Sequence, residues 1–487
     1  MTMTMTMTMT MTMTAPYKTP QPARRGNATS ERATAIKRGY KARLRRGDLL
    51  ETIVYFSVAI VLALFLADGG ATYFINIKDV ATGLGIVTGL IGSDLLLIML
   101  VLAARVPAID RTFGHDKALA LHRKLGKPVL YLILAHMLLL MIGYGIAQGL
   151  NPVAEAIDMI ANQQDMSIAF IATGLLIAVV VTSLVIVRRK LSYEFWYIVH
   201  LLSYAAILLA LPHQFTQGMM FADGTWARWY WMALYVGSLA AITIFRVIIP
   251  VASSLRHDLR VSQVVVEAPG VVSVTMSGRD LDALRAQGGQ FFQWRFWAPN
   301  MWLDAHPYSL SAHPDGRSLR ITVRDLGKGS GKLLSLKPGT RVSFEGPYGL
   351  FTEEARTTNK AVFVGAGIGI TPIRALLEAS DLAPHEATVI LRGSDTTDVY
   401  LWQETYDLCV EKSASLRVLV GHRPRGVNTW LSAEAYGQGE SLLTLAPKIK
   451  ESDLYICGPT PWTELVIRDA KRLGLKDHQI HAERFDF

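Results

Sequence analysis

Cysteine is nearly absent: the 487 residues include only Cys409 and Cys457. Two thiols exclude a disulfide framework, a cysteine-built zinc site and an all-cysteine iron–sulfur cluster. Charge is also sparse, with 18% Asp, Glu, Lys and Arg against 51% hydrophobic residues. At a mean hydropathy of +0.27 the chain is too apolar for an ordinary soluble protein of its size. No EF-hand calcium loop occurs. What charge there is leans basic, net +9. It crowds into loops beside apolar runs, a sign of membrane topology rather than of a nucleic-acid footprint, so no nucleic-acid partner is expected.

The first fourteen residues are a Met-Thr repeat. It has no packing logic and reads as a disordered tail or a misplaced start site. It lacks a signal peptide's order of charge, apolar run and cleavage site. Residues 1–47 are expected to form a disordered basic tail, and residues 48–250 a six-helix membrane domain. Six apolar stretches lie near 50–67, 83–104, 128–147, 168–187, 193–211 and 229–250. Most approach the roughly 20 residues that span a bilayer as a helix. Their connections alternate in charge. One set holds residues 24–46, Arg105 to Lys127, Arg188-Arg189-Lys190, and Arg256 with Arg260. The other holds only Lys78 and Arg228 beside Asp68, Glu155, Asp158, Asp165 and Asp223. The positive-inside rule then puts both termini in the cytoplasm, and the third and fifth helices run parallel. A bacterial inner membrane is the expected location.

Four histidines stand on those two helices, His122 and His136 on the third, His200 and His213 on the fifth. Ionisable groups inside a bilayer are expensive and usually functional. Each pair is separated by roughly 20 Å along its helix axis, at a rise of about 1.5 Å per residue. Parallel helices bring His122 to His200 near the inner face and His136 to His213 near the outer face. Paired imidazoles suit the axial positions of two haems, and filling both positions favours electron transfer over oxygen binding. Helical phase fits the first pair better. Thirteen residues leave His213 about 140° from His200 on a straight helix, unless Pro212 distorts it. Gly126 would let a flat porphyrin approach, and Arg123, Lys124 and Lys127 would pair with its propionates. The alternative is hydrogen-bonded histidines at the membrane interface. His115 has no helix-spaced partner and reads as a loop residue.

After Pro250 short alternating segments near 261–267, 271–276, 291–296, 319–323 and 341–344 predict a small antiparallel β-barrel over 251–355. From about 356 to the end, strands near 361–364, 387–391, 416–420 and 454–456 alternate with helices, a doubly wound α/β domain. In the barrel His306-Pro307-Tyr308-Ser309 offers an aromatic to stack on an isoalloxazine ring and a hydroxyl to bond its edge. Arg324, Gly327 and Ser330 form a basic, glycine-containing turn that can cradle a pyrophosphate, or a plain hairpin turn. Gly365, Gly367 and Gly369 lead into Thr371-Pro372 and a helix N-terminus that attracts phosphate. Arg392 and Ser394 end the next strand, where a cation favours the 2′-phosphate of NADPH; Asp395 tempers that reading. Cys457-Gly458-Pro459 would border the nicotinamide, and the terminal Phe487 would cover the flavin.

Together these elements resemble the ferredoxin–NADP reductase module, and the four-histidine bundle resembles the ferric reductase and NADPH oxidase family. The resemblance covers about residues 50–487. It implies a multidomain membrane oxidoreductase with FAD, NADPH and two b haems. It also implies that Tyr308 and Ser309 contact the flavin ring, Arg324 and Ser330 its pyrophosphate, and that Ser309, Cys457 and Phe487 attend hydride transfer. His306 stands where such reductases often carry arginine. The expected acceptor outside is dioxygen, giving superoxide, or a ferric or cupric chelate. The alternative is a cytochrome handing electrons to a protein partner or a quinone.

Overall fold

The computed structural model describes residues 25–222, 224–299, 301–302, 305–325, 327 and 330–485. Among the described residues six helices are long and apolar enough to cross a membrane. They lie in α1 (Arg25–Ala67), α2 (Val80–Ala103), α3 (His115–Gln148), α4 (Met166–Ser183), α5 (Tyr193–Gln217) and α6 (Trp226–Thr243). The basic segment from Arg25 is not a disordered tail. It contains no proline and continues α1 without a break, so the helix extends well beyond the apolar span. Its Tyr40 ring lies 5.0 Å from the His478 ring, against the C-terminal domain.

Small residues bring α2 and α3 into close contact. A Cβ on Gly85 would meet Leu140 at 2.8 Å and one on Gly92 would meet Ile133 at 2.9 Å. Asp94 of α2 is wholly buried. It accepts a 2.6 Å hydrogen bond from the Ser57 hydroxyl, which also lies 2.9 Å from the Tyr230 hydroxyl. The Asp94–Ser57–Tyr230 hydrogen-bond chain thus joins α2, α1 and α6.

Pro250 does not end the last span. A π-turn over Ile244–Ile248 precedes it, and the chain continues as α7 (Ile249–His257). The wider turn accommodates a residue that has no N–H to give. Ser254 of α7 accepts from the Phe344 N–H at 3.2 Å, which docks the helix onto the barrel.

The barrel has six strands: β1 (Arg260–Ala268), β2 (Val271–Ser277), β3 (Phe291–Phe296), β4 (His306–Ser309), β5 (Ser318–Arg324) and β6 (Val342–Tyr348). They form two antiparallel sheets, ordered β1-β2-β5 and β4-β3-β6. Bridges Arg260↔Arg341 and Leu310↔Ile321 join them. Alternation along β3 is strict: Phe292, Trp294 and Phe296 are at most 1% exposed and fill the barrel core.

The last domain is a parallel sheet of β7 (Lys360–Ala366), β8 (Ala387–Gly393), β9 (Ser415–Val420), β10 (Ser452–Pro459) and β11 (Ile480–Phe485), ordered β11-β10-β7-β8-β9. Val362 and Val364 enter one core, Ala361 and Phe363 another, so both faces are covered. Helices α8 (Ile370–Ala379), α9 (Trp402–Glu411) and α10 (Thr460–Arg472) pack around it. Near the start of β10 the wholly buried Asp453 accepts from the Thr357 and Thr358 N–H groups at 2.9 and 2.6 Å. It lies 2.8 Å from His481 Nε2 on β11. Removing that carboxylate leaves several buried donors unpaired, a loss of about 3 kcal/mol or more. Asp453→Ala should therefore lower the melting temperature of the full-length protein measurably by circular dichroism, and an unchanged melt would contradict this account.

Candidate redox-cofactor sites

Two of the four membrane histidines meet directly, and the other two share a cavity. The rings of His122 and His200 lie 6.1 Å apart between centroids. Two imidazole nitrogens bound about 2 Å from one metal, each with its ring centre about 1 Å behind, require about 6 Å. His136 and His213 both line a cavity of about 260 Å³, with Gly89, Ile133, Thr173 and Leu176 among its walls. Among the described residues no three His, Cys, Asp or Glu side chains cluster as a bare ion would need. The spacing of His122 and His200 is one that a haem held between two imidazoles would need.

Helix α2 orients two of the rings. His136 Nδ1 lies 2.8 Å from the Gly85 carbonyl and His122 Nδ1 lies 3.0 Å from the Met99 carbonyl. A carbonyl can only accept, so Nδ1 carries the proton and Nε2 keeps its lone pair for a metal. Gly89 makes room: a Cβ there would overlap the His136 ring. The span near 83–104 is expected from the sequence, but its part in orienting the histidines is not, although the spacing of Gly85, Gly89 and Gly92 in TGLGIVTGLIGSD is the visible signal. Arg123, Lys124 and Lys127 are exposed beside His122, and the space off Gly126 is open apart from Met99 at 3.9 Å.

In the barrel, His306 and Tyr308 stack at 5.8 Å and 21°, with Pro307 exposed between them. The Tyr308 phenol is pushed up to about 12 by burial and then by Asp325. Ser309 donates to Glu483 Oε1 at 2.8 Å. Glu483 is not singled out by the sequence, because no strand is expected at Ile480–Phe485. Arg324 is exposed at the end of β5. The turn after it is organised by Asp325, which accepts from the Gly327 N–H at 3.0 Å and the Ser330 hydroxyl at 3.3 Å. Phe487 lies outside the described residues.

The glycine turn sits against the last strand. Gly367 has φ +55, and a Cβ on Gly369 would overlap the Cys457 carbonyl. Thr371 and Pro372 are buried in the first turn of α8, and the buried Gly365 and Gly458 flank the same contact, with Pro459 exposed. The Cys457 thiol is wholly buried; burial, then Glu483, pushes it well above the usual thiol range.

Arg392 departs from expectation. It is 4% exposed, and its guanidinium donates to the carbonyls of Gly393, Gly421 and, at 3.4 Å, Leu419. It ties β8 to the end of β9 rather than reaching for a phosphate. Ser394 and Asp395 are the exposed groups at that strand end. The Thr397 N–H and then the Thr396 hydroxyl hold the Asp395 carboxyl below its usual range.

Comparison with known proteins agrees with this layout. Residues 88–211 match the ferric reductase like transmembrane component, and residues 363–467 match the oxidoreductase NAD-binding domain. Ferredoxin–NADP reductase B of Sorangium cellulosum is 30% identical over 189 residues, covering 37% of this chain and 77% of that protein. The C-terminal module belongs to the ferredoxin–NADP reductase family, and the helices ahead of it match the ferric reductase like transmembrane component. A flavohaemoprotein of Rhizobium meliloti is 26% identical over 194 residues, 37% of this chain, and the match spans about half of that relative, 47%. The FAD/NAD-binding domain of a nitric oxide dioxygenase from Vibrio cholerae is 24% identical with a TM-score of 0.39, over 47% of this chain and 99% of that one. The chain is an integral membrane oxidoreductase with an FAD- and NAD(P)-binding module.

Two outcomes follow for the family member described here. Gly89→Ala should destabilise the protein by about 1–3 kcal/mol through overpacking against His136. Gly174→Ala, where nothing lies within 4 Å, should be neutral or stabilising in the same thermal melt. Cys409 and Cys457, both buried, should react with a thiol reagent only after unfolding; fast labelling of the native protein would refute their burial.

Proposed function

We propose that this protein moves electrons from a cytoplasmic nicotinamide nucleotide, through FAD and two bis-histidine haems, to dioxygen or a ferric or cupric chelate outside. The observation that carries the reading is the 6.1 Å approach of His122 and His200 at one end of α3 and α5, with His136 and His213 sharing a cavity nearer the other. When bound, flavin accepts a hydride's two electrons together and releases them singly, and haem relays one at a time. Basic connections put both termini on the cytoplasmic side.

The chain's own residues bind, orient and exclude. The carbonyls of Gly85 and Met99 hold two imidazoles in the metal-binding tautomer. Tyr308 supplies a ring for the flavin to stack on, and Arg324 a cation for its pyrophosphate. Ser309 and Glu483 keep a proton between them at the strand end. Gly369 lets the nucleotide turn approach Cys457, whose neutral thiol adds no charge where a hydride must pass. The engaged guanidinium of Arg392 removes the support for NADPH, and an acidic group after the second strand bonds a free ribose 2′-hydroxyl. Asp395 therefore favours NADH.

Purified protein should carry close to two low-spin haems per chain by pyridine haemochrome assay, and a haem-free preparation after adequate haem supply would defeat the reading. His200→Leu should remove the inner haem and block reduction of the outer one while flavin bleaching by nucleotide persists. Superoxide trapping beside ferric-chelate reduction identifies the acceptor. NADH should be used at least as efficiently as NADPH in kcat/KM. Arg392→Ala should weaken both nucleotides alike, because it loosens the β8–β9 edge; a selective loss of NADPH would restore the phosphate role.

A further inference from the structure

The mechanism leaves one buried cluster unused, where the connection between α2 and α3, with its short helix Pro107–Phe113, meets the barrel. Strand register builds it. Phe291 pairs with Ser309 of β4 on one side and with Tyr348 of β6 on the other. Adjacent strands are about 5 Å apart, so Tyr348 stands about 10 Å across the sheet from the flavin-edge serine. There the Tyr348 ring stacks on His115, with centroids 5.4 Å apart and planes 21° from parallel. Phe291 lies 5.8 Å from Tyr348 and 6.5 Å from His115. His115 is no loop residue. It opens α3 and is 5% exposed, with its Nδ1 3.5 Å from Asp110 Oδ1. Two helical turns, about 10 Å, separate it from His122 on the same helix.

Charges fasten the same seam. Glu345 of β6 pairs with Arg105 at 2.6 Å and with Arg246 at 3.2 Å, two cations from different membrane helices' ends. The Arg105 guanidinium also lies 4.9 Å from the Tyr348 ring centroid. Burial is the main influence raising the Tyr348 phenol, which keeps it neutral. Flavin strand, barrel edge and haem-bearing helix are therefore connected by one row of packed rings.

We propose that the Phe291–Tyr348–His115 row seats the flavin module on the membrane bundle, and that Tyr348 and His115 are positioning residues for electron passage to the His122–His200 pair. The proposal rests on the electron route argued above. A flexible seam would let the flavin edge drift from the inner pair, and each ring contact narrows that ensemble. Losing a stack of this kind lowers the seated population by several-fold to about tenfold.

The test uses the full-length holoenzyme carrying Tyr348→Leu, His115→Leu or Tyr348→Phe. Anaerobic stopped-flow mixing with nucleotide reads flavin bleaching and haem reduction separately, and hydrogen exchange reads the seam over residues 107–115 and 342–348. Tyr348→Leu and His115→Leu should leave flavin bleaching at the native rate and slow haem reduction several-fold to about tenfold. Exchange at the seam should rise with them. Tyr348→Phe, which keeps the ring, should restore both. Native haem reduction with native exchange in the two leucine variants would overturn the proposal. So would flavin bleaching and haem reduction falling in parallel with loss of flavin, because the row would then merely hold the barrel together. A native protein without haem would overturn the electron route instead, and the exchange measurement would still decide the seating.

Discussion

Two imidazoles of the membrane half, His122 and His136, place Nδ1 on backbone carbonyls of the neighbouring helix, and the packing of that half follows from those two bonds. Helix α2 supplies the acceptors from its own backbone, at Gly85 and Met99. Backbone carbonyls are available only if the two helices come close, and closeness requires glycine at 85, 89 and 92. Small-residue packing, histidine tautomer and the free Nε2 are therefore one constraint expressed three ways. Dispersion and hydrogen bonding have to do this work, because lipid offers no hydrophobic drive between helices.

The same economy of contacts joins the halves. Helix α7 continues the sixth span through a π-turn and ends hydrogen-bonded to β6. Strand β6 then presents Glu345 and Tyr348 to the loop that leads into α3. In the nucleotide domain, Gly369 against Cys457 and Asp453 against the Thr357–Thr358 backbone do the equivalent work. Each is a close approach of backbone to a partner distant in sequence.

Several readings needed little beyond local pattern. Apolar runs of bilayer length announced the spans, alternation announced the barrel, and the GAGIGITP turn announced the nucleotide fold. Other readings failed where a side chain's partner was distant. Arg392 stood at a phosphate-binding position by strand count, yet the carbonyls of Gly393, Leu419 and Gly421 take its donors. His115 looked unpartnered because Asp110 precedes its helix and Tyr348 lies more than two hundred residues away. The basic segment after Arg25 looked disordered because charge alone was weighed, without the helix it continues.

The sequence by itself determined the class of the protein: six apolar helices ahead of a barrel and a nucleotide-binding α/β domain, and which two of those helices carry paired histidines. Those properties depend on periodicity and on rise per residue, which are local. Only the tertiary structure decided which nitrogen each of two rings presents, what Arg392 grips and how the barrel meets the helix that carries His122 and His136. Hydrogen-bond donors and ring faces are satisfied by whatever the fold brings within about 3–6 Å, and no pattern along the chain specifies that neighbour.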